Sequence, residues 1–449
     1  MRYAKYCMLA AGVVAAMFTA TAQVSFVGND KPVYQEGQSS HTGSMAIYVL
    51  HSAQGVSMTY EASSTDDVTW YKFGAQGAID MIELGGIVKN GTTTTMPQVE
   101  ANQGYVIMEG VNPTYVWVAD YSTSPLQLVS ATVDPESDCG TALINVEGSG
   151  NPIKYCDING VEKTLDRDIK VTYNTREWMA DDYHWAETQV IESESQFKSV
   201  IAVPAPYCGT TFTVSGDKFL RFWKEEKSIS TLNYSPRAIN VMVRAEQEER
   251  NNDNEQTTGG GVLGGSAPAK ITFTAYCTDA VTFKEWQVSD NQEFTNILMN
   301  FSQDEVEYTF EDAGTTYWRF YGANSDGSCE YYGDPITVSI GESVLVCPNI
   351  FSPGTTPEVN DVWKVSYKSI IDFHCWIYNR WGNLIKEFTD PSDGWDGTYN
   401  GKQVSAGVYF YVIQATGSDG KKYKLSGDIN ILRYERRDYG GGTVPEEPR

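Results

Sequence analysis

The sequence has little of what most often carries catalysis. It contains only four histidines, His41, His51, His184 and His374, and no two of them have metal-ligand spacing such as H-x-x-x-H. It also lacks the G-x-S-x-G nucleophile elbow. The one local cluster of polar catalytic residue types, at 181–184, is interpreted as a solvated turn. We therefore expect no enzyme, no metal site and no cofactor, although paired carboxylates for glycoside hydrolysis meet in space and leave no sequence motif.

Positive charge is also scarce. Lys and Arg total 33 against 58 Asp and Glu, which gives a net charge of −25. This balance argues against nucleic acid as a partner, because phosphate backbones are bound by Lys and Arg surfaces. It argues equally against adsorption to anionic lipid. The acidic surface is interpreted as a source of solubility, with cation binding by acidic loops as the alternative.

Long hydrophobic runs are missing as well. The longest, at 8–18, is too short to cross a bilayer as a helix. It follows Arg2 and Lys5 and precedes the small-residue sequence Ala-Thr-Ala at 20–22, which together predict a signal peptide over 1–22. Cleavage there would leave Gln23 first and, with two cations removed, a net charge of −27. We expect an exported protein without an integral membrane span.

The cysteines are scattered singly and form no C-x-x-C pair, which argues against a zinc ribbon. Seven follow the expected cleavage site: Cys139, Cys156, Cys208, Cys277, Cys329, Cys347 and Cys375. In an oxidising compartment such cysteines usually form disulfides or are buried thiols. The separation of Cys277 and Cys329 makes them the candidate disulfide across one sandwich, although sequence does not fix connectivity. Since seven is odd, at least one thiol is unpaired or bonds another chain.

What the sequence does contain favours strands. It has 28 Tyr and 11 Trp, with 40 Gly and 17 Pro for turns. The predicted fold class is all-β, with tandem immunoglobulin-like β-sandwiches that end in a small β-sandwich. The predicted organisation is a signal peptide (1–22), an immunoglobulin-like sandwich (23–130), a second β domain (131–245), an acidic and glycine-rich linker or loop (246–269), a third sandwich (270–342), a C-terminal domain (346–433) and a flexible tail (434–449). Trp-bearing strands are predicted at 68–73 and 283–288.

The segment 246–269 changes composition sharply, from acidic and polar to glycine-rich. It cannot bury a core, so we interpret it as a linker or a long mobile loop. A phosphate-binding loop is the alternative, since 259–265 is rich in glycine. However, G-x-x-x-x-G-K-[ST] does not occur there.

The 88 residues 346–433 carry several motifs in a fixed order. They run through 348–353 (PNIFSP), 377–384 (IYNRWGNL), 394–402 (GWDGTYNGK), 406–413 (AGVYFYVI) and 425–433. Trp-Asp-Gly followed by Asn-Gly predicts two turns around a short strand. The run 408–413 is apolar at every position, which is typical of a central strand between two layers. Trp381 and Trp395 are large enough to anchor a small core.

In order and spacing these motifs resemble the gliding-motility-associated C-terminal domain, also called the type B sorting domain of the type IX secretion system of Bacteroidetes. The third sandwich resembles the immunoglobulin-like or PKD-like modules that precede this domain in many surface proteins of that group. The residues matching the motifs are Asn349, Phe351, Pro353, Asn360, Asp361, Asn379, Arg380, Trp381, Gly382, Gly394, Trp395, Asp396, Gly397, Gly401, Gly407, Tyr409 and Gly427.

The resemblance implies export across the outer membrane and recognition by the type IX translocon. It also implies that the domain functions together with an outer-membrane β-barrel partner, to which the protein often stays attached. The acidic turn usual in the family after the first Pro is replaced here by 354–359, which puts any metal-binding role of that turn in doubt. The tail after 433 is either disordered or a partner-binding segment.

Together these features predict a non-enzymatic cell-surface protein that acts as a structural or interaction subunit or as an adhesin, with other surface proteins or glycans as possible ligands. The alternative is a carbohydrate-binding surface protein, suggested by the Trp- and Tyr-rich strands. An exposed planar trio of aromatic rings would favour sugar binding, and buried aromatics would favour the structural role.

Overall fold

The computed structural model describes residues 24–37, 45–63, 66–256, 263–354 and 360–432, and in them the chain forms four successive β units. The expected signal peptide and the expected tail lie outside the described residues. The strands of the first unit are β1 (Val24–Val27), β2 (Tyr34–Gln35), β3 (Ala46–Leu50), β4 (Ser57–Glu61), β5 (Val68–Phe73), β6 (Ile82–Glu83), β7 (Val88–Asn90), β8 (Thr93–Met96), β9 (Gln103–Glu109) and β10 (Asn112–Asp120), with short 3-10 helices at Gly77–Asp80 and Tyr121–Thr123.

The first unit packs a four-stranded sheet, β1-β4-β8-β7, on a six-stranded sheet, β2-β3-β10-β9-β5-β6. Its core holds Trp70, which is buried and donates its indole N–H to Thr94 Oγ1 at 3.0 Å. β10 lies between β3 and β9, and its residues from Val116 onward are buried on both faces. A strand covered on both faces must be apolar at consecutive positions, as this one is.

The second unit contains β11 (Gln127–Val133), β12 (Thr141–Ser149), β13 (Lys154–Cys156), β14 (Glu162–Thr164), β15 (Ile169–Met179), β16 (His184–Glu194), β17 (Val200–Pro204), β18 (Thr213–Ser215), β19 (Ser228–Ser230) and helix α1 (Lys218–Trp223). The sheets β11-β12-β17 and β16-β15-β18-β19 enclose one core. The hairpin β13–β14 and helix α1 instead contribute Tyr155, Phe219 and Trp223 to a second core shared with the first unit. The two units are therefore joined by apolar packing rather than by a linker alone.

The third unit contains β20 (Val241–Gln247), β21 (Leu263–Gly265), β22 (Ala269–Cys277), β23 (Phe283–Ser289), β24 (Ile297–Phe301), β25 (Glu305–Phe310), β26 (Gly314–Ala323), β27 (Glu330–Tyr332) and β28 (Ile336–Ile340). The sheet β20-β22-β25 packs on β21-β28-β26-β23-β24, with β27 paired to β26. Trp286 and Trp318 are fully buried between them.

Two predicted boundaries are wrong here. Residues 241–245 were assigned to the second domain, yet β20 pairs with β22 over its whole length, from Val241 with Cys277 to Gln247 with Ile271. Of the two interpretations of 246–269, a linker or a long loop, the linker between domains is wrong, because the segment connects strands of a single sandwich and contains β21. Composition separates folded from polar segments, and it does not say which strands a polar segment joins.

Part of that acidic segment is also fixed against the C-terminal unit. The Asn254 side chain donates to the carbonyl oxygens of Val365 and Pro391, both at 2.8 Å. The backbone of Tyr367 donates to Asn254 O at 3.1 Å and accepts from the Gln256 N–H at 2.7 Å. Residues 254–256 thus add a short parallel bridge to the C-terminal unit, while 257–262 lie outside the described residues.

The disulfide prediction is wrong as well. Cys329 bonds Cys139 of the second unit, with the sulfur atoms 2.03 Å apart, and Cys277 is unpaired. A bridge within one sandwich was inferred from chain separation alone, and the partner lies 190 residues away in a neighbouring unit. Arg237 lies at the same junction, where it donates to Ser137 O and to Asp326, each at 3.2 Å.

We expect replacement of Cys139 and Cys329 by serine to loosen the junction between the second and third units. A cross-link that closes so long a loop contributes about 2–5 kcal/mol to stability. Limited proteolysis should show faster cleavage near this junction in the double variant than in a Cys156→Ser control, which removes an unpaired thiol. Equal cleavage rates in the two variants would contradict this expectation.

The C-terminal unit contains β29 (Val344–Val346), β30 (Ile350–Phe351), β31 (Ser366–Lys368), β32 (Ile370–Tyr378), β33 (Leu384–Phe388), β34 (Thr398–Tyr399), β35 (Lys402–Gln403), β36 (Gly407–Gly417) and β37 (Lys422–Ile431). Its main sheet has the order β30-β37-β36-β32-β33, and β29-β31 and β34-β35 form two small additional sheets. A single core containing Trp363 and Trp395 lies on one side of the main sheet.

The C-terminal unit as a candidate recognition site

The core of the C-terminal unit is built around two of its tryptophans. Trp363 and Trp395 are fully buried and exchange backbone hydrogen bonds at 2.8 and 2.9 Å. The Trp395 indole donates to Thr398 O at 2.9 Å, and its ring contacts Tyr409 edge-on at 5.0 Å and Phe351 at 5.5 Å. Trp395, Phe351 and Tyr409 therefore hold the fold together, and Trp395 anchors the core as predicted.

Several motif glycines serve the backbone rather than a ligand. The predicted turns occur, since Gly382, Gly397 and Gly401 have positive φ, as does Gly407 at the start of β36. Gly394 has no space for a side chain, because a Cβ would lie 2.6 Å from Val362 Cγ1 and 2.7 Å from Trp363 O. Gly427 lies beneath the Tyr411 ring, where a Cβ would be 2.6 Å from the phenolic oxygen. Positive φ at some of these positions and close packing at Gly394 and Gly427 explain the glycine spacing.

The remaining polar motif residues shape loops. Asp396 accepts from the backbone N–H and hydroxyl of Thr398 at 3.0 and 2.7 Å. Asp361 accepts from the Gly354 N–H at 2.8 Å, close to the buried Pro353. The backbone oxygens of Asn349 and Asn360 accept from Asn430 and Ser352, both at 2.9 Å. Most of 354–359, the replacement for the acidic turn, lies outside the described residues.

Trp381 differs from the prediction. It was expected to anchor the core, but 72% of its surface is exposed. The Asn379 side chain accepts from the backbone N–H groups of Trp381 and Asn383, both at 3.0 Å, and so fixes a tight turn that projects the indole into solvent. The Arg380 guanidinium lies 4.4 Å from the indole centre. Aromatic size alone does not tell a core residue from one presented on a turn.

Beside this turn the main sheet leaves an aromatic side uncovered. Phe410 and Val412 of β36 are 43% and 37% exposed, and they lie directly opposite Tyr378 and Trp376 of β32. Adjacent partners in register share one face, so these four side chains form a continuous stripe. We name Trp376, Tyr378, Trp381, Phe410 and Val412 the aromatic surface. The expectation that 408–413 is covered on both faces is wrong: β36 is central in its sheet, yet only one face packs on the core.

A surface cavity of about 430 Å³ connects the turn to the stripe. It is lined by Asn379, Arg380, Trp381 and residues 405–410. Next to it, Trp376 stacks on His374 at 3.8 Å, and both side chains bond the Glu387 carboxylate, at 3.1 and 2.6 Å. Trp376, Tyr378, Phe410 and Val412 were not singled out from the sequence. The alternation of polar and apolar residues along 372–378 was the signal that could have found the first two.

Burial disfavours the thiolate form of the unpaired cysteines in the described residues. Burial raises the pKa of the Cys347 and Cys277 thiols to about 11, and it also raises the pKa of Cys375. Thiols with such values stay protonated at neutral pH and react slowly. Within the described ranges there is no group of three or more His, Cys, Asp or Glu side chains placed to hold a metal ion. In the same ranges, no helix has the length and apolar character needed to cross a membrane.

Comparison with known proteins identifies two parts of the chain. Residues 345–431 match the family described as the CHU_C type IX secretion signal domain, and residues 131–231 match the fibronectin type III domain. No curated protein matches the chain.

Among solved structures, the chain is similar to dimeric latent PorU from Porphyromonas gingivalis, with 10% identity over 72% of this chain and a TM-score of 0.15. The match spans 35% of the PorU chain, about a third of its length. A second similar structure contains three N-terminal domains of the outer capsid protein Hoc of bacteriophage RB49, with 9% identity, 69% and 99% coverage of the two chains and a TM-score of 0.20.

The two family matches, together with the observed sheets, confirm the fold class and the nature of the C-terminal unit. The chain consists of tandem β-sandwiches, one of them a fibronectin type III domain, and ends in a type IX secretion signal domain. That signal directs export to the cell surface or the exterior through the type IX machinery.

Proposed function

We propose that this exported chain is a non-enzymatic surface protein that stays bound to an outer-membrane β-barrel partner through the aromatic surface of its C-terminal unit. In this role it acts as a structural or interaction subunit, or as an adhesin. The observation that carries the proposal is the uncovered stripe of Trp376, Tyr378 and Phe410 beside the exposed Trp381. Aromatic and Arg side chains are enriched where proteins bind one another, and exposed apolar patches often mark such surfaces.

Other aromatic residues support a structural role over sugar binding. Trp70 and Trp286, on the strands that suggested a carbohydrate site, are buried. The half-exposed cluster at the tip of the β15–β16 hairpin packs on the third unit, where the Trp185 indole donates to Tyr276 O at 2.9 Å. Trp178 and Trp185 are tilted by 60° against each other, whereas Tyr183 and Tyr276 are closer to parallel, at 26°. A flat stacking platform for a sugar is not formed there.

The proposal is tested by site-specific photo-cross-linking in intact cells. A photoreactive residue at Phe410 should cross-link to an outer-membrane β-barrel protein, because that side chain faces outward from the sheet. The same residue at Ile191, which is 56% exposed on β16 of the second unit, is the matched control. A barrel adduct from Ile191 alone, or no barrel adduct from Phe410 in surface-exposed protein, would refute the proposed attachment.

A further inference from the structure

Strand β24 of the third unit ends its sheet with an unusual side-chain pattern. It pairs with β23 on one side and is the last strand in the order β21-β28-β26-β23-β24. Ile297, Leu298 and Met299 are 41%, 49% and 39% exposed. Among the described residues this is the only run of three consecutive exposed large apolar side chains.

Two other edge strands of the molecule carry the charges that normally prevent pairing with a foreign strand. β25, the edge of the facing sheet, carries Glu305 and Glu307. β33, the edge of the C-terminal sheet, carries Lys386 and Glu387. β24 reads ILMNF and has neither a charge nor a proline. Its single protective feature is a bulge between the pairs Val288–Met299 and Ser289–Ile297.

An added strand next to β24 would extend an existing core. Phe301 and Met299 lie opposite Trp286 and Val288, both of which are buried in the sandwich. Phe301 also stacks on Trp318 at 5.6 Å, with 9° between the rings. The backbone of an incoming strand would pair with the exposed backbone groups of β24. In addition, its apolar side chains would pack beside side chains that already belong to the core.

The charges around β24 indicate which charges the two ends of an incoming strand should carry. Asp290 and Glu293 precede it, Asp304 and Glu305 follow it, and all four are exposed. Lys284 is bonded to Asp304 at 2.9 Å, and Arg319 lies over the Phe294 ring. The uncharged strand is thus bracketed by acidic residues at both ends. A second copy of this acidic chain would meet repulsion there, whereas a basic segment would be attracted.

We propose that β24 is a docking edge that accepts, by strand addition, an extended segment of another protein with an apolar centre and Lys or Arg at both ends. The bound segment becomes the next strand of the sheet. Its apolar residues cover Met299 and Leu298, and its basic ends face Glu293 and Glu305.

The probes are two synthetic peptides, Lys-Lys-Val-Thr-Val-Thr-Val-Lys-Lys and its counterpart with Glu in place of Lys. Fluorescence anisotropy with the purified full chain should show binding of the basic peptide and at least about tenfold weaker binding of the acidic one. Leu298→Lys, which places a charge on the edge, should weaken binding of the basic peptide by a similar factor. Ile191→Lys makes the same change on another exposed strand and should leave binding unaltered, and circular dichroism should show that both variants are folded.

The proposal is overturned if the basic peptide does not bind, if Leu298→Lys and Ile191→Lys weaken it equally, or if both peptides bind alike. Sedimentation of the chain alone supplies a further test. Self-association that Leu298→Lys abolishes would mean that a second copy, and not a basic segment, occupies the edge.

Discussion

Truncation after Leu345 is expected to abolish surface display, and Trp381→Ala in the intact chain is expected to reduce it about tenfold or more. Truncation removes the type IX secretion signal domain at 345–431. It also exposes parts of the third unit, because Glu255 and Asn254 lose their contacts with Tyr367 and Val365. A loss of display by truncation alone could therefore reflect misfolding, and the point variant removes that ambiguity.

We expect Trp381→Ala to act on recognition and to leave folding intact, because the indole is largely in solvent and the Asn379 side chain holds the turn through backbone contacts. Such surface substitutions usually change stability by less than about 0.5 kcal/mol. Loss of an aromatic residue that carries much of the binding energy of a surface costs about 2 kcal/mol or more, which is over tenfold in affinity. Protease shaving of intact cells measures display, and thermal unfolding of the purified chain measures stability.

Trp395→Ala is the matched control in the core. It removes a fully buried side chain and should destabilise the C-terminal unit by about 3–5 kcal/mol. Normal display of the Trp381→Ala variant would show that this indole takes no part in recognition. Normal display of the truncated chain would show that the C-terminal unit is not needed for export.

The contrast between these two tryptophans shows where sequence-based prediction ends. Both stand in turn-rich motifs, and the sequence correctly predicts strands, turns and the presence of a core around Trp395. Whether a large ring points inward depends on how the turn is held, here by Asn379, and that is a three-dimensional property. In the same way, the apolar run 408–413 predicts a strand, but its periodicity cannot reveal that no second layer covers Phe410.

Contacts between units were the least predictable feature. Cys139 and Cys329 are 190 residues apart, and β20 was assigned to the wrong sandwich. Local patterns report burial and turns, whereas the choice of partner depends on the packing of whole units. Helix α1 illustrates this point, since six residues in a loop-rich stretch give no helical periodicity. It forms because Asp217 caps it and because Phe219 and Trp223 pack on the first unit.

Asp217→Ala is expected to destabilise the junction of the first two units by about 3–5 kcal/mol, the cost of breaking a buried ion pair by removing one partner. Asp217 and Arg167 are fully buried, with Oδ2 and Nη1 2.5 Å apart. The same carboxylate accepts from Tyr121 OH at 3.2 Å and from the Leu220 N–H at 3.0 Å. Arg167 also donates to the carbonyl oxygens of Ser124 and Asn151. Alanine would leave this guanidinium buried without its counter-charge.

Two further variants separate the charge from the cap. Asp217→Asn keeps the acceptor for the Leu220 N–H and removes the charge. Its free energy of unfolding should therefore fall by most of the amount lost in Asp217→Ala. Asp217→Ala combined with Arg167→Met should be less destabilised than Asp217→Ala alone, because no unpaired charge remains. Urea unfolding, followed by tryptophan fluorescence, measures the free energy of unfolding of all three variants. Lys89→Met, which breaks an exposed ion pair, is the control and is expected to show no change. If Asp217→Asn were as stable as the parent chain, the helix cap and not the ion pair would be the contribution of Asp217 to the stability of this junction.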